Sequence, residues 1–144
     1  MTPQWTEAML RLTLRAGSGY YLQHRVLSSA EPHYFVVLNQ QPHDDNFLVF
    51  AVASSRVEGV RRRSQNMPAE TLVDISPAEY PEFKVPSIVD CNHWFLVTRQ
   101  ELLQKLQANL ASEKRPLPDA LLARLRKGML ASELIEDEIK DRLR

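Results

Sequence analysis

The chain has 144 residues, with 18 lysines and arginines balanced by 18 aspartates and glutamates, and a single cysteine, Cys91. This length can bury one real core but is too short for two independent catalytic domains, and the balanced charge excludes a molecule-wide field for a polyanion, so any nucleic-acid binding must come from a local patch. One cysteine excludes an intrachain disulfide and a cysteine-rich zinc site; with no apolar run of membrane length and no signal-like N-terminus, the expectation is a soluble cytoplasmic protein.

Residues 4–15 carry two patterns. Trp5, Met9 and Leu12 fit one helical face, whereas Leu10, Leu12 and Leu14 alternate with Arg11, Thr13 and Arg15 as in a strand; the helix is the expectation. Gly17-Ser18-Gly19 then punctuates the chain, and Tyr20-Tyr21-Leu22-Gln23-His24-Arg25-Val26 reads as the first strand. The strongest strand signal follows. Tyr34 to Leu38 is all aromatic or aliphatic, opened by Pro32-His33 and closed by Asn39-Gln40-Gln41-Pro42, which predicts a strand buried on both faces. A second apolar run, Phe47 to Ala53, lies beyond a turn with Pro42, Asp44 and Asp45, so the two form a central hairpin with His33 at its mouth.

Past Ser54-Ser55 the residues from Arg56 to Asn66 include Arg61, Arg62 and Arg63 and have no apolar stripe, which predicts a solvated loop or short helix. Strands are expected at Thr71 to Ile75, Ser87 to Asn92 and Trp94 to Val97. Between the first two, Pro77, Pro81 and Pro86 enforce an extended crossing. Thr98-Arg99-Gln100-Glu101 has the spacing of a capping box and opens a helix carrying Leu102, Leu103, Leu106 and Leu110. Residues 1–110 are thus the main domain. Residues 111–144 are expected as a helical extension behind a polar connector, with one helix capped by Asp119 and ended by Gly128 and another capped by Ser132. Neither helix buries its leucines alone, so the pair is expected as a lid or a dimer- or partner-binding hairpin.

The order of these motifs resembles the MazF and PemK-like toxin superfamily over roughly residues 19–103. Gly19-Tyr20-Tyr21 is similar to that family's opening strand, Pro32 to Asn39 to its second, Phe47 to Ser55 to the strand ending in threonine-serine, and Ser87 to Asn92 to its late segment. The chain departs from the pattern in having His33-Tyr34 where the family has arginine-proline, and Ser54-Ser55 for threonine-serine. The resemblance implies a mostly β, α+β fold: a small SH3-like barrel with flanking helices and, here, a C-terminal helical hairpin. It further implies a homodimeric endoribonuclease that cleaves single-stranded RNA without metal or other cofactor and is neutralised by an antitoxin protein.

Cleavage through the ribose 2′-hydroxyl needs a proton acceptor, a proton donor for the 5′-oxygen and charge stabilisation at phosphorus. His33 is the expected acid or base because imidazole titrates near neutrality; the alternative is a histidine tied to a loop carbonyl. Ser54 is the expected donor to a phosphate oxygen, against an ordinary turn serine. Arg56, Arg61, Arg62 and Arg63 are expected RNA contacts in place of the missing arginine, because guanidinium binds phosphate in a fork; solubilising roles compete for at least two of them. His24 is a possible second histidine. His43 is expected on the surface, His93 in a structural polar cluster, Cys91 in the core, and no residue spacing suggests a metal site. The competing reading is a non-catalytic module of the same fold that holds a protein or nucleic acid through the arginine segment and the C-terminal helices.

Overall fold

The computed structural model describes residues 4–22 and 33–144. In chain order these form helix α1 (Glu7–Thr13), strands β1 (Gly19–Leu22), β2 (His33–Val37) and β3 (Leu48–Ser54), helix α2 (Val57–Arg63), strands β4 (Leu72–Ile75), β5 (Ser87–Asp90) and β6 (Phe95–Val97), helix α3 (Arg99–Gln107), strand β7 (Ala111–Lys114) and helices α4 (Asp119–Ala131) and α5 (Asp137–Asp141). The class is α+β, as expected.

All seven strands belong to one antiparallel sheet in the order β4-β5-β3-β2-β1-β7, with β6 paired to the opening half of β3 and β5 to its end. β4 and β7 are not paired with each other, so among the described residues the sheet is open rather than a closed barrel. The central hairpin is as the apolar runs predicted: Tyr34 pairs with Ala53 and Val37 with Phe50.

Alternation along β2 and β3 sends side chains into two cores, one on each face. Phe35, Val37, Leu48 and Phe50 pack with Leu10 and Leu14 near α1 and with Leu102 and Leu106 of α3. Val36, Leu38, Val49 and Ala51 pack against Leu121, Leu122, Leu125 and Met129 of α4 and Ile139 of α5. The sheet is therefore the middle layer of three.

Local chemistry sets the ends of these elements. Thr6 accepts from the Met9 N–H at 3.1 Å and starts α1. Gly17, at φ 86°, makes the turn into β1 that a side-chain-bearing residue would adopt only under strain. α3 opens with the expected capping box between Thr98 and Glu101 and closes through Asn109 at φ 60°, where the Leu110 N–H reaches the Lys105 carbonyl at 2.8 Å. Buried Asn39 locks the hairpin turn: its Nδ2 donates to Asp45 Oδ2 and the Phe47 carbonyl, and its Oδ1 accepts from the Val49 N–H. Arg126 of α4 donates to the Leu38 and Asn39 carbonyls, and Arg99 of α3 to the Pro42 carbonyl, so both helical layers grip this turn.

Three expectations for the C-terminal part are corrected. Ala111–Lys114, expected in a connector, is strand β7, which continues the sheet by pairing with β1 from Gly19↔Lys114 to Leu22↔Ala111. Gly128 lies inside α4, where an added Cβ would come 2.8 Å from both Cys91 Sγ and the Glu70 carbonyl; it permits close packing rather than ending the helix. Ser132 closes α4, and its hydroxyl donates to Asn92 Oδ1 at 2.8 Å; α5 begins after Glu136. The helices of residues 111–144 are built into a core rather than laid over a finished domain.

Candidate functional site

The hairpin sets the two expected catalytic residues at the same end of the sheet. Tyr34 opposes Ala53, and His33 and Ser54 are the next residues, at the start of β2 and the end of β3. Alternation places both toward the face shared by Phe35 and Phe50. On their outer sides His33 pairs with Leu22 and Ser54 with Ile88, so neighbouring strands hold the pair from both sides.

His33 is half-buried, and its Nδ1 is buried with no hydrogen-bond partner among the described residues. Leaving such an atom unpaired costs about 1–3 kcal/mol, an uncommon state for a purely structural side chain. Ser54 Oγ accepts the Arg56 N–H at 3.1 Å, which orients the oxygen and leaves its hydroxyl proton able to donate elsewhere.

At the same end of the sheet, on the face that carries Tyr34 and Ala53 rather than the Phe35 face, lies a cleft of about 390 Å³ bordered by His33, Tyr21, Tyr34, Ser55, Ser87, Lys84 and Lys114. Tyr21 of β1 and Tyr34 of β2 are direct cross-strand partners, with ring centroids 4.9 Å apart. Tyr34 also meets Phe83 edge-on at 4.9 Å, and Phe83 meets Tyr80 at 4.8 Å, so an aromatic chain runs from the sheet into the proline-rich crossing. The Tyr34 hydroxyl donates to the Glu82 carbonyl at 3.2 Å; burial first, then Glu82 and Tyr21, raise its pKa and keep it a neutral phenol. The Lys114 ammonium lies 6.0 Å from the Tyr21 ring centroid. The cleft thus joins aromatic surface, hydroxyls and two lysines.

The arginines divide. Arg61 is bound to Asp74 across the gap to β4, which neutralises its charge. Arg56, Arg62 and Arg63 are exposed and have no carboxylate partner among the described residues. Arg56 follows Ser55, a cleft residue, and α2 carries the other two onward from it. His24 lies outside the described residues.

Elsewhere the polar groups support structure. Asn92 donates to Asp90 and Thr71 and accepts from Ser132, which pins the α4 end to β5. His93 is largely exposed, 3.6 Å from Asp90, and so stands outside that buried network. Cys91 is buried, and burial followed by Asp90 pushes its thiol up to about 12. Among the described residues no three His, Cys, Asp or Glu side chains converge as metal ligands, and no helix is long and apolar enough to cross a membrane.

Tyr21, Tyr34, Lys84 and Lys114 were not singled out from sequence. Two tyrosines at matching offsets on predicted neighbouring strands were a readable signal, whereas Lys114 was hidden because β7 does not look like a strand. No protein-family model matches the chain, and no curated protein matches it.

Proposed function

We propose that the chain is an endoribonuclease that cleaves single-stranded RNA at the His33–Ser54 end of its sheet, as a divergent relative of the MazF and PemK-like toxins. The observation that carries this reading is His33, whose ring Nδ1 has no partner among the described residues, at the rim of a lysine-bearing cleft and at the sheet end where Ser54 closes β3. In the reaction His33 takes the proton of a ribose 2′-hydroxyl, whose oxygen forms a bond to the adjacent phosphorus. The bond from phosphorus to the 5′-oxygen breaks, and that oxygen takes a proton from water or a cleft lysine. Ser54 donates to a non-bridging oxygen, and Lys84, Lys114 and Arg56 offset the added negative charge. A homodimer, a cytoplasmic location and an antitoxin that covers this end belong to the same proposal.

A second reading, a non-catalytic module that holds RNA or a protein, is favoured by one observation: no other acid–base side chain hydrogen-bonds to His33 among the described residues. Incubation of the protein with single-stranded RNA in chelator separates the two. The enzyme reading expects fragments ending in cyclic phosphate and 5′-hydroxyl, lost in His33→Ala and reduced about 10²-fold or more in Ser54→Ala. Intact RNA, or undiminished cleavage by His33→Ala, overturns it.

A further inference from the structure

The aromatic surface of the cleft does more than fill space between strands. Tyr21 is only partly buried, is backed on one side by Tyr34, and has the Lys114 ammonium 6.0 Å from its ring centroid. One stacking interval is about 3.4 Å, so a flat ring laid on Tyr21 would come between it and the ammonium after a small outward movement of a flexible lysine. Resting on the proposed RNA reading, we infer that Tyr21 is the platform on which one nucleobase of the bound strand stacks, with Lys114 closing over that base and contacting its phosphate.

The register supports this assignment. Lys114 pairs with Gly19 and Ser112 with Tyr21, so Lys114 sits diagonally from Tyr21 on the same face of the sheet. Lys84 also borders the cleft, on the crossing that Tyr34 holds through the Glu82 carbonyl. Aromatic faces flanked by lysines are what single-stranded nucleic acid uses, because every base has a face to stack and every linkage a charge to neutralise. Tyr21 and Lys114 are thus positioning residues that fix a nucleotide in the cleft that His33 borders.

The test compares binding of the full chain to a short single-stranded RNA and to the same strand with one internal abasic position, across a salt series. Wild type should prefer the base-bearing strand at the best register by about tenfold. Tyr21→Leu should lose this preference with its salt slope intact, and Tyr21→Phe should keep it. Lys114→Ala should lower the slope of log affinity against log salt by about 0.7. If wild type binds both strands equally, or Tyr21→Leu keeps the preference, the stacking assignment falls while the RNA reading stands. If wild type binds neither strand, both fall.

Discussion

At the scale of single residues, the packing around α4 makes sharp demands. Gly128 stands so close to Cys91 Sγ and the Glu70 carbonyl that Gly128→Ala must push backbone against backbone, with a loss of about 1–3 kcal/mol. Gly59 in α2 has no atom within 4 Å of an added Cβ, so Gly59→Ala should gain about 0.5–1 kcal/mol from helix propensity. Urea denaturation of the two variants reads both signs; equal effects would contradict the packing described. Cys91 supplies a pH dependence. Its unfolded thiol releases a proton near 9 and its folded thiol only at about 12, so the stability from keeping it neutral is complete below pH 9 and is lost as the pH rises to 12. Burial raises the Tyr80 hydroxyl in the same direction. Stability should therefore fall above pH 9, and Cys91→Ala should lessen the fall; an unaltered decline would remove Cys91 from the account.

At the scale of elements, what could be read from sequence depended on how strongly local chemistry agreed with the fold. The unbroken apolar runs of β2 and β3 and the Thr98–Glu101 capping box each have one plausible structure, and each formed as expected. Thr98→Ala should accordingly cost about 1 kcal/mol, measured as a shift of the urea midpoint; no shift would mean that the cap is dispensable to α3. Strand β7 was not legible because Ala-Ser-Glu-Lys has little β preference, and its strand state comes from β1 beside it. Gly128 was misread because a glycine near a helix end usually marks a stop, and only the tertiary contact with Cys91 shows otherwise. For the site, His33 and Ser54 could be named from strand ends, but the Tyr21–Lys114 side of the cleft required the register of a strand that sequence did not reveal.

At the scale of the whole molecule, the sheet is covered on both faces, and the C-terminal helices supply one of the two covers. Leu121, Leu125 and Met129 are buried with Val36, Val49 and Val89, so a chain ending at Lys114 exposes the whole α4 face of the sheet. Such a truncation should lose cooperative unfolding; a cooperative transition with an undiminished midpoint would make the helices an appendage after all. With both faces covered, concave regions that function can use among the described residues include the His33–Ser54 end with its cleft and a larger groove of about 1200 Å³ between α1 and α3 bordered by Trp5, Leu103 and Gln107. Size favours the second; the lysines, the tyrosines and the unpaired histidine nitrogen favour the first. Titration of the labelled protein with single-stranded RNA, followed through backbone amide resonances, decides between them. Shifts gathered at Tyr21, His33, Ser54, Ser55 and Lys114 are the predicted result, whereas shifts confined to Trp5, Leu103 and Gln107 would contradict the placement of function at the end of the sheet.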